Sequence, residues 1–263
     1  MDYLKPVLSF VRQLFLSAGF FSGKSLSKNE IGNVLNKIRP VTSDHELVRV
    51  GSAGDGGYLL PKDFDGISAV FSPGVADVAE FESHFIALGI PCFLVDHTVD
   101  KPPIVNELIF FERIKLGVQT EPGVSTSLAD WVKLKAPEGD LILQIDIEGS
   151  EYEALLSAPP EVLNRFRHII VEFHDFGWIA SKFGARIIGA TLEKLQKNHV
   201  PVHAHPNNCC PPLKTKGLQI PNVVEVTFTR RDRVRADAEF SELPHHLDVP
   251  NIRGKDQQIV WLA

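Results

Sequence analysis

Three acids, Asp146, Glu148 and Glu151, fall in one short stretch, LILQIDIEGSEYE (141–153), directly behind an apolar run. A helix N-terminus attracts acids through its dipole, which accounts for Glu151 and for Glu148. It does not account for Asp146, which follows the apolar run without a break. Histidines recur in comparable settings. His174 ends HIIVEFH, His203 and His205 lie in PVHAHPNN, and Asp96 and His97 end PCFLVD and its following residue. A carboxylate with imidazoles is a sound ligand set for a divalent metal, or the makings of a general base. His203 and His205 are two apart, so in a strand both project to one face. Taken singly, each histidine is more readily explained as a packed or solvated side chain; together they point to a metal or base site.

Such residues need strands to carry them. The run 141–147, closed by Gly149, is expected to be a buried strand ending in a turn. Further strands are expected at 69–71, 91–98, 108–116, 168–174, 201–208 and 223–229. Between them the pattern predicts helices at 78–88 (stopped by Gly89), at 127–135, from Ser150, and at 186–199, with a short helical turn in 159–166. In open α/β sheets ligands collect beyond the carboxyl ends of the strands, so the polar tips would converge on one rim. Gly51, Gly54, Gly56 and Gly57 surround Asp55. That density marks either close approach to a ligand or a hairpin turn, and Asp-Gly-Gly is a good hairpin signal. The turn Ser72–Pro73–Gly74 precedes Asp96 by about the distance at which nucleoside-binding units place an acid for ribose. SPGVAD is not GxGxxG, and Pro73 occupies room a pyrophosphate would need. A cofactor with ribose but no phosphate fits better.

The 263 residues suit one large α/β domain with an appendage, divided as a helical extension over 1–40 and a main domain over 41–263. A net charge of −6, and no basic stripe interleaved with aromatics, argue against a nucleic-acid surface. Three cysteines, two of them adjacent, give neither a disulfide framework nor a CxxC zinc spacing, so a reducing cytoplasm is the default. Residues 1–22 have apolar positions at near-helical spacing, broken by Lys5 and Arg12, too short for a spanning helix. An amphipathic helix docking on the domain is favoured over contact with a partner or a membrane surface; a homodimer is compatible with it. A second short helix is expected over 25–39.

The motifs GDGGYLL (54–60), FSPGVADVAEFE (71–82), VDHT (95–98), IDIEGSEYEAL (145–155), VEFH (171–174) and HAHPNN (203–208) occur in family order across about residues 47–230. In them the chain resembles the FkbM-type family of S-adenosylmethionine-dependent methyltransferases. IDIEGSE is the most specific of the set. The resemblance implies a class I, Rossmann-like methyltransferase fold with a seven-stranded sheet, strand seven antiparallel. It also implies O-methylation of a sugar or other natural-product hydroxyl. Carried over by position, Ser72, Gly74 and Val75 line the methionine end of the cofactor, Asp96 with His97 the ribose, and Asp55 with Gly56 the same cleft. Asp146 faces the methyl group. The turn departs from the family pattern in lacking its second and third glycines.

For the chemistry, Asp146 and His174 are expected as ligands of Mg²⁺ or Mn²⁺, with His203 or His205 as a third; failing a metal, a His or Asp acts as general base. Three rivals remain. A metal-dependent hydrolase would use the same Asp/His cluster without an organic cofactor. A nicotinamide oxidoreductase would need an opener glycine turn. An adaptor would bind no cofactor at all.

Overall fold

The computed structural model describes residues 24–75, 78–135 and 138–255. The N-terminal amphipathic helix expected over 1–22 lies outside them. Helix α1 (Lys28–Leu35) starts at a capping box in which Ser27 and Glu30 satisfy each other's backbone N–H groups. Its apolar face, with Ile31, Val34 and Leu35, and Ile38 in the turn just after it, is buried in the main core rather than held apart from it.

A hairpin follows, β1 (Leu47–Gly51) and β2 (Gly57–Pro61), antiparallel about the Asp55 turn. Next come β3 (Ile67–Pro73), α2 (Glu80–Ala87), β4 (Cys92–Val95) and β5 (Ile109–Glu112). The expected single strand over 108–116 breaks at Arg113 and Ile114. Its second half becomes β6 (Lys115–Gly117), paired in parallel with β7 (Ser125–Ser127). Helix α3 (Leu128–Lys135), β8 (Asp140–Ile145), α4 (Glu151–Ser157), α5 (Pro160–Leu163) and β9 (Phe166–Phe173) complete the centre. Helix α6 (Lys182–Leu195) begins at the Ser181 cap, four residues before the periodicity predicts. The chain then runs through β10 (His199–Pro206), the small hairpin β11 (Leu213–Thr215) and β12 (Leu218–Ile220), and β13 (Val224–Arg230).

Seven of these strands form one sheet in the order β10-β13-β9-β8-β3-β4-β5. The pairs β9–β8, β8–β3, β3–β4 and β4–β5 are parallel, whereas β13 runs antiparallel to both neighbours. The chain is therefore mixed α/β on a mostly parallel sheet. Among the described residues no helix is long and apolar enough to cross a membrane.

The two faces of this sheet differ. Leu141, Leu143 and Ile145 of β8, Ile169, Val171 and Phe173 of β9, and Val224, Val226 and Phe228 of β13 share one wholly apolar core with Phe71, Trp131 and Phe166. Phe71 meets Trp131 edge-on at 4.8 Å, the arrangement the ring quadrupoles prefer. The alternate residues face the other way. Near β3 and β4 that second face is apolar, with Val70, Cys92 and Leu94 packed on Phe81 and Phe85 of α2. Toward β9, β13 and β10 it turns polar: Gln144, Glu172, Glu225, Thr227, His203 and His205 are all buried there. The β1–β2 hairpin roofs this part, with Thr227 Oγ1 donating to the Leu59 carbonyl at 2.6 Å.

Candidate functional site

At the carboxyl ends of β3, β4 and β8 two cavities adjoin, of about 270 and about 150 Å³, sharing Gly74 and Asp146 in their walls. Gly74 makes this possible. Its φ is +83°, and a Cβ there would stand 1.6 Å from the Asp146 carbonyl oxygen. The strand tips of β3 and β8 can be this close only because residue 74 has no side chain.

The larger cavity is walled by Asp96, His97 and Thr98 after β4, by Lys115 and Leu116, and by Ile147 and Glu148. Asp96 is buried and fixed on both oxygens. One accepts from Val75 N at 3.0 Å; the other accepts from Thr98 N at 2.7 Å and Thr98 Oγ1 at 2.6 Å. The acid at the tip of the second strand thus locks the glycine turn as well as lining the cavity.

Asp55, Gly56, Tyr58, Val75, Glu80, Glu82 and Gln144 line the smaller cavity, and among its described lining residues there is no Lys, Arg or His. Ser72 is placed differently from expectation. It is fully buried and reaches this cavity only through its hydrogen bonds to Glu82 and to Gln144 Oε1. One hydroxyl hydrogen serves two acceptors here. Burial pushes the Glu82 pKa up, which favours the protonated form that would supply the second hydrogen.

Asp146, Glu148 and His174 bring one ligand atom each within 4.8 Å of one another. Glu148 has a left-handed φ of 54° and Asp175, just past His174, one of 51°. Strained backbone of this kind concentrates at functional sites. Glu151 holds the loop in place. It is fully buried, and its carboxylate accepts from Ile147 N at 3.0 Å and Gly149 N at 3.1 Å. It also pairs with His174 Nδ1 at 3.1 Å. His174 Nε2 is left facing Glu148 at 3.4 Å and Asp146 at 3.9 Å. A carboxylate behind a histidine in this way fixes its tautomer and ring orientation, as behind metal-bound histidines.

Electrostatics separate the two partners. For His174, burial alone lowers the pKa, but the hydrogen bond to Glu151 and the charges of Glu151, Asp146 and Glu148 outweigh it and push the pKa up to about 9. For Asp146, burial raises the pKa and His174 opposes it. Glu148, Glu151 and Asp55 add to the rise, to about 7. Because the folded pKa of His174 exceeds the unfolded value, the stability it contributes is complete below about pH 6.5 and disappears as pH rises through about 9. Glu151→Gln is expected to lower the His174 titration midpoint in the metal-free protein by about one unit or more. Ring-proton NMR reads it directly, and an unchanged midpoint would show that Glu151 does not set the imidazole's charge.

The β10 histidines do not join this cluster. His203 Nε2 contacts Asp248 Oδ1 at 2.9 Å, and His205 Nδ1 lies 3.5 Å from the same oxygen. Strand β13 stands between β10 and β9, so His203 is no catalytic group for Asp146, and His205 is no ligand beside it. The polar tips do not all meet because the antiparallel strand intervenes. Glu148 takes the third place that the sequence reading gave to a histidine.

Glu172 and Asn207 were expected among the polar strand tips; Glu225 and Asn251 escaped that reading. Glu172 accepts from Asn207 Nδ2 at 2.8 Å and from Tyr58 OH at 3.4 Å, and Glu225 accepts from Asn251 Nδ2 at 2.5 Å. Burial raises the pKa of both acids, Glu225 to about 7. Glu225 had a signal in the sequence, an acid between two valines of an alternating strand; Asn251 had none.

No family model matches the chain, and no curated protein matches it. Among solved structures, a protein of Pyrococcus horikoshii assigned as an RNA methyltransferase aligns at 11% identity over 63% of this chain and 76% of its own, with a TM-score of 0.33. A structure described for conversion of a disulfide bond into a thioacetal group during echinomycin biosynthesis aligns at 12% identity over 62% of this chain and 76% of its own, with a TM-score of 0.29. Scores this low leave fold and chemistry to be judged on the chain's own geometry.

Proposed function

We propose that this chain is an S-adenosylmethionine-dependent O-methyltransferase of the FkbM type, acting on a hydroxyl of a sugar or other small natural product. The observation that carries the reading is the pair of cavities meeting at Gly74 and Asp146, one holding Asp96 and the other walled by acids without a basic side chain. A pyrophosphate would be repelled by Asp55, Glu80 and Asp146; a ligand bearing a sulfonium and an ammonium is matched to them. The strand order, with the antiparallel β13 beside the edge strand, supports a class I methyltransferase arrangement.

S-adenosylmethionine supplies a methyl group on a positively charged sulfur, already a good electrophile. The chain's task is to orient an acceptor hydroxyl and take its proton. Asp96, held by Val75 and Thr98 in the wall of the larger cavity, is the acid placed to face the ribose. Lys115, Leu116 and Ile147 offer walls for a flat base. Of the two groups nearest the shared wall, Asp146, with a pKa near 7, is matched to a base at neutral pH. His174, held cationic up to about pH 9, is not. A divalent ion on Asp146, Glu148 and His174 would instead lower the acceptor's pKa and displace the imidazole proton.

Calorimetric titration of the metal-free chain with S-adenosylmethionine, alone and with Mg²⁺ or Mn²⁺, tests this. Micromolar binding is expected; its absence in both conditions overturns the reading. The Asp146–Glu148–His174 cluster also favours a second reading, a metal-dependent hydrolase. That predicts turnover without any organic cofactor, abolished by chelation.

A further inference from the structure

A second group of carboxylates lies under the hairpin, apart from His174. Glu225 of β13 pairs Cα to Cα with Glu172 of β9 on one side and with His205 of β10 on the other, so the three side chains share a face. Asp55 reaches down to them from the hairpin turn, and one oxygen from each of Asp55, Glu172 and Glu225 lies within 4.8 Å of the others. Oxygens coordinating one ion at about 2.1–2.5 Å stand that far apart across it.

The charges of His205 and Arg49 act on Glu225 from a distance, but neither is hydrogen-bonded to these acids. Arg49, the nearest guanidinium, donates to the carbonyls of Leu247, Ser52 and Gly57. Among the described residues no Lys or Arg forms an ion pair with Asp55, Glu172 or Glu225. Asn251 adds an independent observation. Its residue is 8% exposed, its Nδ2 donates to both Asp55 Oδ1 (3.2 Å) and Glu225 Oε1 (2.5 Å), and its Oδ1 is buried without any partner. Rotating that amide by half a turn exchanges N and O and turns an oxygen toward both carboxylates, an arrangement that a cation between them stabilises.

We propose that Asp55, Glu172, Glu225 and the Asn251 amide oxygen form a divalent-cation site of the hard, oxygen-ligand class, taking Mg²⁺, Mn²⁺ or Ca²⁺. It joins the hairpin turn, the sheet and the C-terminal segment, three regions distant in sequence. Through Asp55 it also adjoins the acid-walled cavity. The site depends on its donor set alone and not on the transfer reaction.

The test is Mn²⁺ binding to the chelator-stripped full-length chain, counted by the EPR signal of free Mn²⁺, with melting followed in Mn²⁺ and in Ca²⁺. Asp55→Asn and Glu225→Gln are each expected to weaken one equivalent by about tenfold or more and to cancel its thermal stabilisation. Glu148→Gln, in the other cluster, should leave that equivalent intact. Should Glu225→Gln fail to fold, Asp55→Asn decides, since Asp55 is an exposed turn residue. Mn²⁺ binding that is absent, unchanged by Asp55→Asn, or wholly removed by Glu148→Gln overturns the proposal.

Discussion

Asp146→Ala is expected to reduce turnover by about 10²–10⁴-fold, the range general-base removal usually costs, while S-adenosylmethionine still binds. Asp146 stands in the wall common to both cavities, and it is the carboxylate nearest His174 Nε2 after Glu148. Its Oδ1 is buried without a hydrogen bond, so substitution strands no donor and the fold should survive. Binding and turnover have to be measured on the same preparation. Near-normal turnover with the cofactor bound would remove Asp146 from the chemistry, whether as base or as ligand. Asp146→Asn separates those roles: it keeps an oxygen for a metal but cannot take a proton.

Gly74→Ala should be the most damaging conservative change at the site. An added Cβ would meet the Asp146 carbonyl oxygen at 1.6 Å and its carbon at 2.7 Å, at a φ of +83°. Backbone strain of about 1–3 kcal/mol then adds to the displacement of β8 from β3. A loss of roughly 3 kcal/mol or more is expected, or about 6–12 °C in melting temperature. Gly89→Ala provides the control. Its φ is +77°, but nothing lies within 4 Å of the added carbon, so it pays the strain alone. Equal losses in the two variants would mean that the contact between the strand tips is not what residue 74 protects.

The amino-acid order by itself determined most of the fold. The alternation in LILQI and the apolar run in HIIVEF specify strands because a buried strand must place apolar residues on its core face. Asp146 was legible as an acid directly behind an apolar run, where packing alone supplies no cause; Gly74 was legible as part of a turn, and its place beside a cofactor came only from the family resemblance. The hairpin about Asp55 followed from its Asp-Gly-Gly turn, which favours positive φ.

Which polar strand ends meet was not legible, because that depends on sheet order. His203 and His205 look equivalent to His174 in sequence, yet β13 inserts between their strands and hands them to Asp248. Glu151, read as a helix N-terminal acid, turned inward to staple its own loop and orient His174. Asn251 reaches Asp55 across 196 residues and Glu225 across 26. Local sequence sets φ, ψ and facing through short-range sterics and periodicity, whereas the partners of a buried polar group are set by whichever distant segment packs over it. Only the tertiary structure could put those carboxylates and that amide in one place.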